Sequence, residues 1–398
     1  MKSYRFKLFS NKRKSRRLEG ELRIFCQIYN HSLALIRGHY KLFGKNPSKN
    51  KLQKHLVKLA KTTHPQWEAI GYSQGIQEVT DRIYKSYDAF FKWMKTRKGA
   101  KKSPPKFKSF RKYKSFTLKQ AGWELDEEKG RVRIGPNWYR YHNSRKIQGT
   151  AKTINIKRDA VGDWFISISC EPEEEFIPKK IIPMTGKNAG FDFGLKTFLK
   201  SSDNTDYKSS EFLKQDLKEL AKVNQDLSRK ENGSKNRKKS KKVLARVHRK
   251  VANKRLDSHY QLAIDLLEEF DYLFFEDLTL AGMKALWGRK VSDYAFATFL
   301  KILETKAHEH GKTFHKIDKW FPSSKLCSNQ KCGQIKLKGE LTLADRIFKC
   351  ECCGLEIDRD LNAAINILNV GVSTLGLDGV SLGASTASVV RSRRIPRL

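Results

Sequence analysis

Residues 189–195 read Ala-Gly-Phe-Asp-Phe-Gly-Leu. Side chains alternate across a strand, so Gly190, Asp192 and Gly194 share one face while Ala189, Phe191, Phe193 and Leu195 share the other. An aspartate in the middle of an apolar strand is costly unless it is paired or binds a cation. The glycines on its face leave room for a bulky group to approach the backbone, and a phosphate chain with metals would fit that opening. Outward from this point, 189–200 is strand-like and roughly 211–270 is helical. Strands follow at 272–278 and 312–318, with a helix between them at 294–310. That alternation predicts an α/β core with a mixed sheet.

Two further segments carry acids into the same core. In Tyr272-Leu-Phe-Phe-Glu-Asp-Leu278, Glu276 follows four apolar residues near the end of a buried strand, and the adjacent Asp277 faces the other way. In Asp358-Arg-Asp-Leu-Asn-Ala-Ala-Ile-Asn366, Asp358 suits a helix N-cap, Asp360 is rotated away from it, and Asn362 and Asn366 share a face one turn apart. Three acids on separate elements of a cationic chain suggest a carboxylate cage for Mg²⁺, a hard ion held by a few carboxylates and substrate phosphates. Each acid taken alone reads equally well as the partner of a structural ion pair.

Cysteines are clustered. Cys327 and Cys332 form a C-x4-C pair, and Cys350 and Cys353 a C-x2-C pair, with seventeen residues between the pairs. This spacing predicts a zinc ribbon with four thiolate ligands and no open position, hence a structural metal. Cys352 is surplus; Cys353 is preferred because its spacing and the following Gly354 suit a knuckle turn. Cys26 and Cys170 fall in apolar helix and strand patterns and read as buried small hydrophobes.

The chain has 398 residues, 81 Lys+Arg against 42 Asp+Glu, and a formal charge of +39. Such a field calls for a polyanionic partner. Hydrophobic residues at 39% suffice for real cores. No apolar run reaches the ~20 residues of a membrane helix, and the N-terminus lacks the apolar stretch of a secretory signal. A soluble intracellular protein that binds nucleic acid is expected. From Lys92 to Lys119 there are twelve Lys/Arg and no acid, threaded with Phe107, Phe110, Tyr113 and Phe116. Exposed aromatics among cations suggest base stacking, so this stretch reads as a nucleic-acid-contacting linker that includes Lys98, Lys101, Lys102 and Arg111. By contrast, the stripe Ile76, Val79, Ile83, Tyr87, Phe90 reads as core. Residues 229–255 hold thirteen Lys/Arg against one Glu, with a turn at Asn232-Gly233-Ser234 leading into a strongly basic helix.

Together these motifs resemble the TnpB family, RNA-guided nucleases of bacterial insertion sequences, and the related compact CRISPR effectors with a single RuvC site. The resemblance rests on Gly190-Phe-Asp-Phe-Gly-Leu-Lys196, Phe275-Glu-Asp-Leu278 with Gly282-Met283, Phe321-Pro-Ser-Ser-Lys325 leading into the ribbon, and 358–366. It implies an RNase H-like (RuvC) nuclease fold at 184–322 and 355–369, with a basic helical insert at about 211–270. A zinc ribbon is implied at 323–354, a wedge β-barrel at 1–14 and 105–183, and a helical recognition lobe at 15–104. Residues 370–398 read as a disordered tail. Asp192, Glu276 and Asp360 would be catalytic ligands of two Mg²⁺ ions, with Mn²⁺ able to replace them, and one Zn²⁺ would be structural. The segment Tyr72-Ser-Gln-Gly-Ile-Gln77, with Tyr72, Ser73, Gln74 and Gln77, resembles the helix that reads a short motif beside the target.

The implied function is RNA-guided, Mg²⁺-dependent cleavage of double-stranded DNA by a monomeric ribonucleoprotein, cytoplasmic and nucleoid-associated in a prokaryote, with guide RNA and target DNA as partners and no membrane. Two other readings compete. One is a binding-only, RNA-guided regulator of transposition, which the intact triad argues against. The other is an unguided RuvC-like resolvase or transposase.

Overall fold

The structure is a computed structural model that describes residues 2–68, 73–97, 101–171, 181–194, 197–208, 212–277, 288, 294–337, 339–342, 345–377 and 392–394. The chain divides into two compact units, Met1–Phe176 and Ile177–Leu398.

The first unit begins with strand β1 (Lys2–Lys7) and helices α1 (Lys12–Phe43), α2 (Lys49–Thr62), α3 (Pro65–Glu68) and α4 (Ser73–Thr96). Strands β2 (Ser115–Leu118), β3 (Trp123–Asp126), β4 (Arg131–Ile134), β5 (Asn137–Arg140), β6 (Thr150–Arg158) and β7 (Trp164–Glu171) follow. The β structure anticipated as a wedge barrel consists of an antiparallel four-stranded sheet, β1-β7-β6-β2, and a three-stranded sheet, β3-β4-β5, with an isolated Leu8–Tyr141 bridge. Alternation explains the packing: Tyr4, Phe6, Ile154, Ile156, Trp164, Ile166, Ile168 and Phe116 are all buried. Helix α1 covers this core with Leu18, Leu22, Phe25 and Leu33, and Phe25 stacks on Phe116 with ring centres 4.8 Å apart. The stripe from Ile76 to Tyr87 is core, as expected.

The basic, aromatic stretch differs from its reading as a linker. Tyr113 and Phe116 are buried, and Phe110 packs against the core. The backbone at 105–108 is strapped along α1: Asn30 exchanges two 2.9 Å hydrogen bonds with Lys108, and Arg37 donates to the Pro105 carbonyl. Only Phe107 of the four aromatics is exposed, with the Arg37 guanidinium 4.8 Å from its ring centre. The alternation Phe116-Leu118 is that of a half-buried strand, which the density of lysines hides.

The second unit is built on a six-stranded mixed sheet in the order β12-β11-β8-β9-β10-β15. Strands β8 (Asn188–Asp192), β11 (Tyr272–Glu276) and β12 (Thr313–Ile317) run parallel. β9 (Leu199–Ser201) is antiparallel to β8, β10 (Asp206–Lys208) is antiparallel to β9, and β15 (Ser392–Arg394) lies parallel to β10. The single strand expected over 189–200 is therefore two. Helices α5 (Phe212–Gln215), α6 (Leu217–Ser228) and α7 (Lys235–Glu269) follow β10, and α8 (Phe296–Glu309) precedes β12. The turn falls where Asn232-Gly233-Ser234 predicted it: Ser234 caps α7 by accepting from the Arg237 N–H.

One face of the sheet, with Ala189, Phe191, Leu273 and Phe275, packs on Leu262, Leu266 and Leu267 of α7 and on Phe296, Phe299 and Leu303 of α8. The other face, with Phe274 and Ile317, is covered by Ile367 and Val372 of the last helix, α9 (Arg359–Thr374). Between β12 and α9, β13 (Ile347–Lys349) and β14 (Glu356–Asp358) form a small hairpin around the cysteines. Within the stretch read as a disordered tail, 370–374 continue α9, where Gly371 and Val372, poor helix formers, are held helical by packing on Phe274, and Ser392–Arg394 form β15 of the sheet; residues 378–391 and 395–398 lie outside the described residues. At the far end of β11 and β12, the Lys312–Asp271 ion pair is buried at 2.8 Å, and the N–H groups of Thr185 and Gly186 also donate to Asp271.

Candidate active site and metal centre

Strands β8 and β11 are paired with Phe191 opposite Phe275, so the next residue of each, Asp192 and Glu276, lies side by side at the carboxyl ends of neighbouring parallel strands. Ligands of open α/β sheets gather at this edge. Both acids share the parity of Gly190 and Phe274, the face that α9 covers. Helix α9 starts there: Asp358 caps it by accepting from the N–H groups of Asp360 and Leu361, which sets Asp360 in the first turn. One Asp360 oxygen lies 3.6 Å from the point a Cβ on Gly194 would occupy.

The glycines have a different use from the one expected. A Cβ at Gly190 would meet the Ala364 carbonyl at 2.2 Å and the Leu368 nitrogen at 2.4 Å. The space beside Asp192 is thus filled by the backbone of α9, and no ligand enters at Gly190. Glycine here allows the helix that carries Asp360 to lie directly on the strand that carries Asp192.

The Asp192 carboxyl lies within the field of the other two acids. The Asp192 carboxyl is pushed up to about 8, by burial first and then by the negative charges of Asp360 and Glu276; the Arg359 guanidinium opposes this in part. Glu276 is also raised by burial, and a 3.3 Å hydrogen bond from the Ser323 hydroxyl partly offsets it. Arg359 lies 3.4 Å from Asp360. Asp192, with two other acids close enough to raise it and one guanidinium nearby, sits in a group short of positive charge. Their oxygens are the hard donors that Mg²⁺ takes, so the residues fit that ion.

The four cysteines selected from spacing come together. The ligand sulfurs of Cys327, Cys332, Cys350 and Cys353 all lie within 4.8 Å of one another, and two of the pairs are 3.6 Å apart. Zinc–thiolate bonds in a tetrahedron put sulfurs about 3.8 Å apart, whereas a disulfide needs about 2.05 Å. The donor set fits zinc. Gly354 turns the second knuckle with φ +71°, and the N–H groups of Cys353 and then Cys352 aim at the Cys350 sulfur and draw its thiol down to about 7. Cys352 stays outside the cluster, exposed. Cys350→Ser is expected to lower the zinc bound per chain from one towards zero by elemental analysis; unchanged zinc would contradict this ligand set.

A link between the two centres escaped the sequence. Asn362 and Asn366, both buried, clamp the loop that enters the ribbon. Asn362 donates to the Leu326 carbonyl and accepts from the Ser328 N–H, while Asn366 donates to the carbonyls of Ser323 and Leu326. Ser323 in turn donates to Glu276. Their spacing announced a shared face, but only the fold supplies the carbonyls.

The residues expected to touch nucleic acid lie in the first unit. Tyr72 and Lys98 fall outside the described residues. Ser73 opens α4, Gln74 accepts from the Ala121 N–H, and Gln77 is exposed. Lys101, Lys102 and Arg111 are exposed.

Comparison with known proteins agrees with the motifs. Residues 167–286, with Asp192 and Glu276, match a family model described as "Probable transposase" (OrfB_IS605), and residues 296–367, with the cysteines and Asp360, match "Cas12f1-like, TNB domain". A Streptomyces pristinaespiralis protein named "Putative RNA-guided DNA endonuclease" is 36% identical over 223 residues, 56% of this chain and 53% of its own. The chain thus spans about half the length of that relative. "Putative RNA-guided DNA endonuclease InsQ" of Escherichia coli K12 is 26% identical over 90% of this chain and 89% of its own. A cryo-electron-microscopy structure of a Cas12f1–sgRNA–target DNA complex superposes with a TM-score of 0.53 at 16% identity, covering 90% of this chain and 83% of that one, a likeness of fold. The chain resembles TnpB-like proteins, with an OrfB_IS605 segment followed by a Cas12f1-like segment. No described helix is long and apolar enough to cross a membrane.

Proposed function

We propose that this chain is an RNA-guided DNA endonuclease with an RNase H-like (RuvC) nuclease core, and that it cuts duplex DNA at one site formed by Asp192, Glu276 and Asp360. The observation that carries this reading is the geometry: Asp192 and Glu276 stand side by side at the carboxyl edge of the sheet, and Asp360 sits in the first turn of the helix packed on that face. Divalent ions bound there would activate water and stabilise the leaving 3′ oxygen. Asp192 and Glu276 offer oxygens from the rigid strand ends, Asp360 closes the group from the first turn of α9, and Ser323 orients the Glu276 carboxylate. The thiolate cluster has no open position and holds the loop that presents Ser323. The relatives' names favour guide RNA and DNA as partners, and a formal charge of +39 favours several phosphate backbones at once.

Purifying the chain and sequencing what comes with it tests the guide. A defined RNA that directs Mg²⁺-dependent cuts to complementary DNA is expected; cutting without RNA would instead support an unguided resolvase. Neutralising Lys101, Lys102 and Arg111 together should make the salt dependence of nucleic-acid affinity shallower by about two to three in log–log slope. An unaltered slope would return these cations to an ordinary solvated face.

A further inference from the structure

Trp320 is 80% exposed, an uncommon position for the largest apolar side chain. The chain leaves β12 at Ile317, the ladder partner of Glu276, and reaches Ser323, whose hydroxyl bonds the Glu276 carboxylate. Trp320 stands midway. Three residues span at most about 11 Å, so its Cα lies within that distance of two points adjacent to Glu276. The loop is firmly held: the Asp318 side chain accepts from the Trp320 N–H, Phe321 N–H donates to the Asp318 carbonyl, and Phe321 packs against Phe274 and Ile317. Asn366 holds the Ser323 carbonyl from α9. An indole displayed on a fixed turn at the rim of an anionic centre has a reason if a ligand covers it. Lys319 places its ammonium 4.8 Å from the ring centre, and Lys316 and Lys325 flank the loop, so the surroundings suit a polyanion with flat, apolar faces.

We propose that Trp320 is a stacking platform for one unpaired base of the DNA strand whose backbone enters the carboxylate centre. Stacking on the indole would fix the strand's register while Lys319 meets the neighbouring phosphate. The idea rests on the reading of Asp192, Glu276 and Asp360 as the cutting site, and its test is separable from that reading.

The full chain with its co-purified RNA is irradiated with a single-stranded oligodeoxynucleotide carrying 5-iododeoxyuridine, without added magnesium, and the adduct is mapped by mass spectrometry. An adduct on Trp320, absent from Trp320→Ala, is expected even if no strand is cut. In cleavage assays Trp320→Ala should raise KM for single-stranded DNA about tenfold with kcat within twofold, and Trp320→Phe should restore most of the loss. Adducts that map elsewhere, or alanine and phenylalanine variants that behave alike, would overturn the proposal while leaving the cutting site intact. A Trp320 adduct from a protein that never cuts would support it and count against the nuclease.

Discussion

Replacing Asp192 by alanine should lower Mg²⁺-dependent cutting at least about a thousandfold, since several kcal/mol of transition-state stabilisation depend on ions this carboxylate helps to hold. RNA content and target affinity should stay near those of the unaltered chain, because Asp192 contacts no phosphate without an ion. Asp192→Asn separates function from architecture. It keeps the shape and removes a charge that burial and two neighbouring acids oppose. The metal-free Asn variant should therefore melt a few degrees above the parent while being equally inactive. A residue with a structural role would shift stability the other way. Full cutting by the alanine variant would remove Asp192 from the site.

The second large effect is expected at Gly190. A methyl group there meets main-chain atoms of Ala364 and Leu368 at 2.2 and 2.4 Å, and backbone cannot rotate aside as a side chain can. Overpacking costs about 1–3 kcal/mol where neighbours can yield, so Gly190→Ala should reach or exceed about 3 kcal/mol, roughly 6–12 °C in melting temperature. It should also lift the start of α9 from β8 and so part Asp360 from Asp192, so that cutting falls with stability. Gly371 offers the control on the same helix. Its added Cβ would meet the Phe274 ring at 2.1–2.7 Å, a side chain that can be trimmed. Gly371→Ala should cost less in a Phe274→Leu background than in the parent, whereas Phe274→Leu should bring no relief to Gly190→Ala. Equal relief at both positions would mean that α9 does not lie on β8 as described.

Much of the site could be read from residue spacing, and what escaped did so for identifiable reasons. Strand parity placed Asp192 with Gly190, and the Asp358 cap fixed the phase of α9 and with it Asp360. Thiolate spacing selected all four cysteines, including Cys353 over Cys352. The partner of the glycine face could not be read, because parity says which residues share a face and nothing about which element covers it. The same limit hid the carbonyls clamped by Asn362 and Asn366. Charge density misled the reading of 92–119, where Tyr113 and Phe116 are core and Phe116 belongs to a half-buried strand. The gap between β8 and β9 was lost because Phe193, Phe198 and Leu199 around it are apolar and buried.

Crystals of the ribonucleoprotein soaked in Mn²⁺ and recorded at the manganese absorption edge test the carboxylate centre most directly. Anomalous peaks touching oxygens of Asp192, Glu276 and Asp360, and lost in Asp192→Ala, are predicted. Manganese bound elsewhere on the chain, with these three side chains free of it, would contradict the account.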